Sequence, residues 1–95
     1  MTTVAAHPVL GRSLDLHPQV ALRPEPFGAL AYHYDTRRLV FLKHPDVVRV
    51  VRELGNHDTV ADTLTACDIA PVRHDAFASA ISSLLDSEML RDRTG

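Results

Sequence analysis

Six histidines and one cysteine are the side chains of this 95-residue chain best suited to metal or nucleophilic chemistry: His7, His17, His33, His44, His57, His74 and Cys67. A zinc site draws its ligands in close pairs, such as two cysteines a few residues apart or two histidines one helical turn apart. None of the histidines stands at such a spacing from another His or from Cys67, so they read as scattered surface residues. Cys67 follows Ala66 with no base positioned beside it. A reactive thiol needs a neighbour that generates its thiolate, so Cys67 reads as a small core residue. The phosphate-cradling GxGxxG and GxxxxGK[ST] patterns and the GxSxG of hydrolases are absent, and the four glycines are dispersed. The sequence is that of a chain with no catalytic residues, no cofactor and no metal.

The stretch with another kind of chemistry is RRLVFLKHP, Arg37 to Pro45. Leu39, Val40, Phe41 and Leu42 stand side by side, whereas a strand with one wet face alternates. Leu39 and Phe41 point one way and Val40 and Leu42 the other, so both faces need cover. If this strand lies at a sheet edge, its outer N–H and C=O groups are unpaired and can template another strand. An apolar groove beside such an edge suits β-augmentation by an extended peptide. About five main-chain bonds at ~0.5–1.5 kcal/mol each supply roughly 2.5–7.5 kcal/mol before ordering costs. Micromolar binding needs ~8 kcal/mol, so side-chain pockets must contribute. The plainer reading is a buried strand, with helices on one face and the N-terminal segment or a dimer mate on the other. Arg37, Arg38 and Lys43 then only deter edge-to-edge aggregation; on the sharper reading they attract an acidic segment. A charge at Val40 or Leu42 is expected to weaken peptide binding.

The elements that must position this strand are legible in outline. Val20 and Leu22 have strand spacing, but Pro18, Pro24 and Pro26 confine any strand there to a sheet edge. GALAYHY, Gly28 to Tyr34, alternates Leu30, Tyr32 and Tyr34 against Ala29, Ala31 and His33. Asp35-Thr36 reads as a tight turn that returns the chain along RRLVFLK. His44-Pro45 then starts a helix, with Val47, Val50, Val51 and Leu54 on one face, Val48 at its margin and Gly55 as its stop. Asp58 or Thr59 caps a shorter helix carrying Val60, Leu64 and Cys67. A third helix runs from about Arg73 to Ser87, with Phe77, Ala80, Ile81, Leu84 and Leu85 as its stripe. Three short antiparallel strands followed by three helices make an α+β domain over residues 14–95, behind a loose tail over residues 1–13.

Composition sets bounds on partners. A chain this short buries roughly 60–65% of its unfolded surface, enough for one thin core. It carries 10 basic and 12 acidic residues and a net charge of −2, which gives no support for a nucleic-acid surface. A single cysteine allows no internal disulfide, no stretch reaches the roughly 20 apolar residues that cross a bilayer, and the N-terminus lacks signal-peptide character. A cytoplasmic protein without membrane attachment is expected.

VALRPEPFGALAYHYDTRRLVFLKHP, Val20 to Pro45, closely resembles the core of the mycofactocin precursor-peptide chaperones. These belong to the recognition elements for ribosomally made, modified peptides and are related to the chaperones of pyrroloquinoline quinone assembly. The closing LLDSEML, Leu84 to Leu90, agrees, while Asp35 stands where the family would be expected to have glycine. The resemblance implies a winged-helix-like domain of three strands and three helices without catalytic activity. It implies a precursor peptide held as an added strand and presented to a radical S-adenosylmethionine maturase, which owns the iron–sulfur cluster and acts on the peptide's C-terminal Val-Tyr end. Carried over residue by residue, the peptide site is Arg38, Leu39, Val40, Phe41, Leu42 and Lys43 on the strand, with Phe77, Ile81, Leu84 and Leu85 on the third helix. The competing reading is a winged-helix DNA-binding regulator. Its third helix would offer DNA only Arg73 and His74 beside Asp75 and Asp86, where specific binding brings several phosphate contacts. A purely structural subunit of a larger enzyme is the third, and peptide binding by the isolated chain separates it from the first.

Overall fold

The computed structural model describes residues 7–93, and they form an α+β domain. The strands are β1 (Leu14–Leu16), β2 (Val20–Glu25), β3 (Gly28–His33), β4 (Leu39–Leu42) and β5 (Leu90–Asp92); the helices are α1 (Pro45–Glu53), α2 (Val60–Ala66) and α3 (His74–Asp86). The three expected strands are β2, β3 and β4, an antiparallel meander in that order, followed by the three helices. Residues 1–6 of the expected tail lie outside the described residues.

Alternation along β3 organises the sheet. Ala29, Ala31 and His33 are buried, while Leu30 and Tyr32 lie on the opposite face. The small residues face inward because α1 packs directly over β3, and alanine methyls permit that close approach. Val20 and Leu22 of β2 and Val40 and Leu42 of β4 share the inner face by register. Pro24 sits within β2 without loss. The Tyr34 N–H donates to the Gln19 carbonyl, so by ladder alternation the Pro24 nitrogen points away from β3, where no hydrogen is needed.

The β3–β4 turn is built differently from the expectation of an Asp35-centred turn. The Nδ1 of His33, a residue 2% exposed, accepts hydrogen bonds from the N–H groups of Asp35 and Thr36, each at 3.2 Å. Arg37 takes the left-handed conformation (φ 65°), so the turn does not require glycine at position 35. His33 is therefore a buried turn anchor and not one of the scattered surface histidines; its ring lies 4.5 Å from that of His17. Replacing His33 with alanine leaves two N–H groups without acceptors and a void. A loss of about 2–4 kcal/mol is expected, read as a lower denaturation midpoint at unchanged slope.

Two short strands extend the expected set. β1 pairs antiparallel with β5, with Leu16 opposite Leu90 and Leu14 opposite Asp92, and joins the two ends of the described chain. Leu14 and Leu90 are buried, each burial contributing roughly 1.5–3 kcal/mol. Ion pairs Arg12–Asp92 and Arg91–Asp15 flank the pairing. The expectation of a loose tail does not hold for residues 7–13. Pro8–Gly11 form a 3-10 turn that buries Val9, the Val60 N–H donates to the Arg12 carbonyl, and the Ser13 hydroxyl donates to the Asp58 carbonyl.

The helices follow their sequence signals closely. Pro45 opens α1 with Asp46 in its first turn, and Val48, Val50 and Val51 are buried. The chain does not stop at Gly55 but tightens into a 3-10 turn over Leu54–Asn56. The Thr59 hydroxyl caps α2 by accepting from the Asp62 N–H at 3.1 Å. Along α3 the buried residues are Phe77, Ala78, Ile81 and Leu84. Ala78 faces the core where Ala80 was expected, and Ala80 and Leu85 sit half-buried at the margin.

Candidate functional site

β4 is an open edge. It pairs with β3 on one side, and among the described residues no strand pairs on the other. The His33 N–H donates to the Arg38 carbonyl at 3.0 Å, which fixes the phase of the ladder. Val40 and Leu42 then exchange main-chain bonds with Ala31 and Ala29, while the N–H and C=O groups of Leu39 and Phe41 project outward. Four main-chain groups, two donors and two acceptors, are thus aimed from the edge.

The two faces of β4 differ sharply. Leu42 is buried and Val40 half-buried beneath the helices, whereas Leu39 and Phe41 are 55% and 59% exposed. Among the described residues nothing covers that outer face. It is aromatic: Phe27 packs edge-on against Phe41 at 5.8 Å between ring centroids, and Tyr34 against Tyr32 at 5.1 Å. On the inner side, a cleft of about 330 Å³ separates β4 from α3. Val40 to His44 wall one side, Ala80, Ser83 and Leu84 the other, and Val47 of α1 contributes between them. Both features meet at one strand, an open edge flanked by an apolar cleft.

A family profile described as "Peptide chaperone MftB family" matches residues 13–91, which include both walls of the cleft. The chain belongs to that family. Proteins named "Peptide chaperone MftB" are similar to it across most of their length. That of Mycobacterium ulcerans (strain Agy99) is 46% identical over 79 residues, covering 83% of this chain and 72% of its own. That of Mycolicibacterium smegmatis (strain ATCC 700084 / mc(2)155) is 47% identical over 75 residues, 79% of this chain and 74% of its own. The Mycobacterium tuberculosis (strain ATCC 25618 / H37Rv) protein is 42% identical over 82 residues, 86% and 75% respectively. No solved structure gives a significant match. The family and these relatives are named for chaperoning a peptide and for no catalysed reaction.

Within this MftB-family chain the expected site residues separate into groups. Val40, Phe41, Leu42, Lys43 and Leu84 line the cleft, and Phe77 lines its neighbour. Leu39 lies on the outer face and Arg38 immediately precedes β4. Ile81 is 1% exposed inside the core, and Leu85 packs half-buried against that core, so neither reaches the cleft. Sequence reasoning missed His44, Val47, Ala80 and Ser83 as lining residues. The available signal was the small pair Ala80 and Ser83, one turn apart on α3, which leaves room where larger side chains would close the gap. The DNA-binding reading gains nothing from α3: Arg73 pairs with Asp46 at 3.3 Å and lies 4.9 Å over the Phe77 ring. Among the described residues no group of three or more His, Cys, Asp or Glu could hold a metal ion, and no helix is long and apolar enough to cross a membrane.

Proposed function

We propose that this chain is a chaperone that binds the mycofactocin precursor peptide by strand addition to the outer edge of β4 and presents it to a radical S-adenosylmethionine maturase. The relatives' names, which call them peptide chaperones, support a peptide as the bound partner. The observation that carries the mode of binding is the outward main chain of Leu39 and Phe41 beside the cleft walled by α3. Four main-chain bonds would contribute about 2–6 kcal/mol. Two peptide side chains entering the cleft add about 3–6 kcal/mol, and the sum before ordering costs spans the ~8 kcal/mol of micromolar binding. A strand added here also places its alternate side chains beside Leu39 and Phe41 on the uncovered face, where a second protein can reach them.

The test uses the direction of one N–H group. Proline at position 41 removes a donor that points away from β3, so the sheet keeps its own ladder, as it does at Pro24. Phe41→Pro is expected to weaken binding of the precursor peptide about tenfold or more relative to Phe41→Ala, which retains the N–H. Calorimetric titration of both folded variants reads the difference. Equal affinities would mean that the peptide does not pair with this edge.

A further inference from the structure

The cleft beside β4 does not end where β4 ends. A second cleft of about 310 Å³, reaching Arg73, Ala76 and Phe77, shares His44, Val47 and Ala80 with the first. The two form one trough along α3 from Leu84 to Arg73. That span is about 16 Å at the helical rise, the length of roughly five extended residues.

Charge is distributed around this trough unevenly. Of the ten Lys and Arg side chains, six are held by carboxylates or main-chain carbonyls: Arg12, Arg23, Arg49, Arg73, Arg91 and Arg93. Of the other four, for which no such partner is found among the described residues, three flank β4. Arg37 and Arg38 stand at its start and Lys43 at its end, and Lys43 lines the cleft. At the far end of the trough Asp46 pairs with Arg49 at 3.0 Å and with Arg73 at 3.3 Å, so these cations are already held. In a chain of net charge −2, three cations thus stand at the two ends of the strand that walls the trough.

A second copy of the chain is a poor occupant, because edge-to-edge pairing brings like charges together. We propose that the trough takes an extended peptide in which an apolar segment of about five residues is bounded by carboxylates at both ends. One end meets Arg37 and Arg38, and the other meets Lys43. The inference rests on strand addition at β4 and adds to it the class of peptide selected. Apolar side chains would supply affinity in the trough, while the terminal charges set register and suppress peptides of the wrong sign.

The experiment compares two synthetic peptides with the same alternating apolar centre, one flanked by paired glutamates and one by paired lysines, titrated into the full chain. The glutamate-flanked peptide is expected to bind about tenfold or more tightly at low salt, with the gap narrowing as salt shortens the screening length. The triple variant Arg37→Glu, Arg38→Glu, Lys43→Glu, altered only at exposed positions, is expected to reverse the preference. Equal binding of both peptides would overturn the charge assignment, leaving these cations as guards of the edge and strand addition intact. Binding of neither would overturn strand addition as well.

Discussion

Replacing Gly28 with alanine is expected to lower the melting temperature by roughly 8 °C or more, the equivalent of at least 2 kcal/mol for a domain of this size. Gly28 opens β3 with φ +151°, a conformation that side chains rarely adopt. A Cβ there would stand 2.0 Å from the Leu42 carbonyl oxygen, a main-chain atom at the end of β4 that no rotamer change can move aside. Strained backbone costs about 1–3 kcal/mol and forced overpacking a similar amount. The sum is a large share of a total stability of about 5–15 kcal/mol. Relief can come only by pushing Leu42 outward, which distorts the edge and the first wall of the cleft together. Peptide affinity should therefore fall in the population that remains folded. Gly11 provides the control, since a Cβ at that position meets nothing within 4 Å. A Gly28→Ala protein melting within a couple of degrees of the parent would mean the contact is relieved elsewhere.

The same site shows what could and could not be read from the chain beforehand. The order of the meander and the three helices follows from period, proline and caps, because each signal is local. β1 and β5 escaped because each is three residues long, too short to show a period. Their pairing joins Leu14–Leu16 to Leu90–Asp92, so neither strand has a reason to exist without the other. The turn escaped for a related reason. Asp35 carries a turn propensity of its own, but the acceptor that holds its N–H is His33, two residues back and buried. The apolar run LVFL announced that both faces mattered without saying which lay inside. That choice is made by Ala29 and Ala31 on the neighbouring strand, whose small size draws α1 onto their side. The apolar stripe of α3 did not separate core from cleft: Ile81 is 1% exposed in the core, whereas Ala80 and the polar Ser83 line the cleft.

The parity of β4 yields the second large effect, and it corrects the expectation that a charge at Val40 and one at Leu42 would act alike. Leu42 is 5% exposed and belongs to the core. An aspartate there forfeits about 1.5–3 kcal/mol of burial and adds an unpaired buried carboxylate costing several more, which together rival the stability of the whole domain. Leu42→Asp is thus expected to show no cooperative thermal transition. Val40 has the same parity but is half-buried at the cleft, where a carboxylate can reach water. Val40→Asp should cost only about 1–2 kcal/mol of stability while facing the apolar side chains of an added strand with a charge. Peptide affinity is then expected to fall about a hundredfold, the equivalent of roughly 3 kcal/mol. Leu39→Asp, on the exposed outer face, should preserve the fold and most of the affinity. Thermal melts and titrations on the three variants separate core, cleft and outer face. If Leu39→Asp abolished binding and Val40→Asp spared it, the peptide would have to be read from the aromatic face, and the space between β4 and α3 would be a packing gap. The expected ranking instead requires one strand to hold the core with Leu42, receive the peptide's side chains at Val40, and offer its main chain through Leu39 and Phe41, which are more than half exposed.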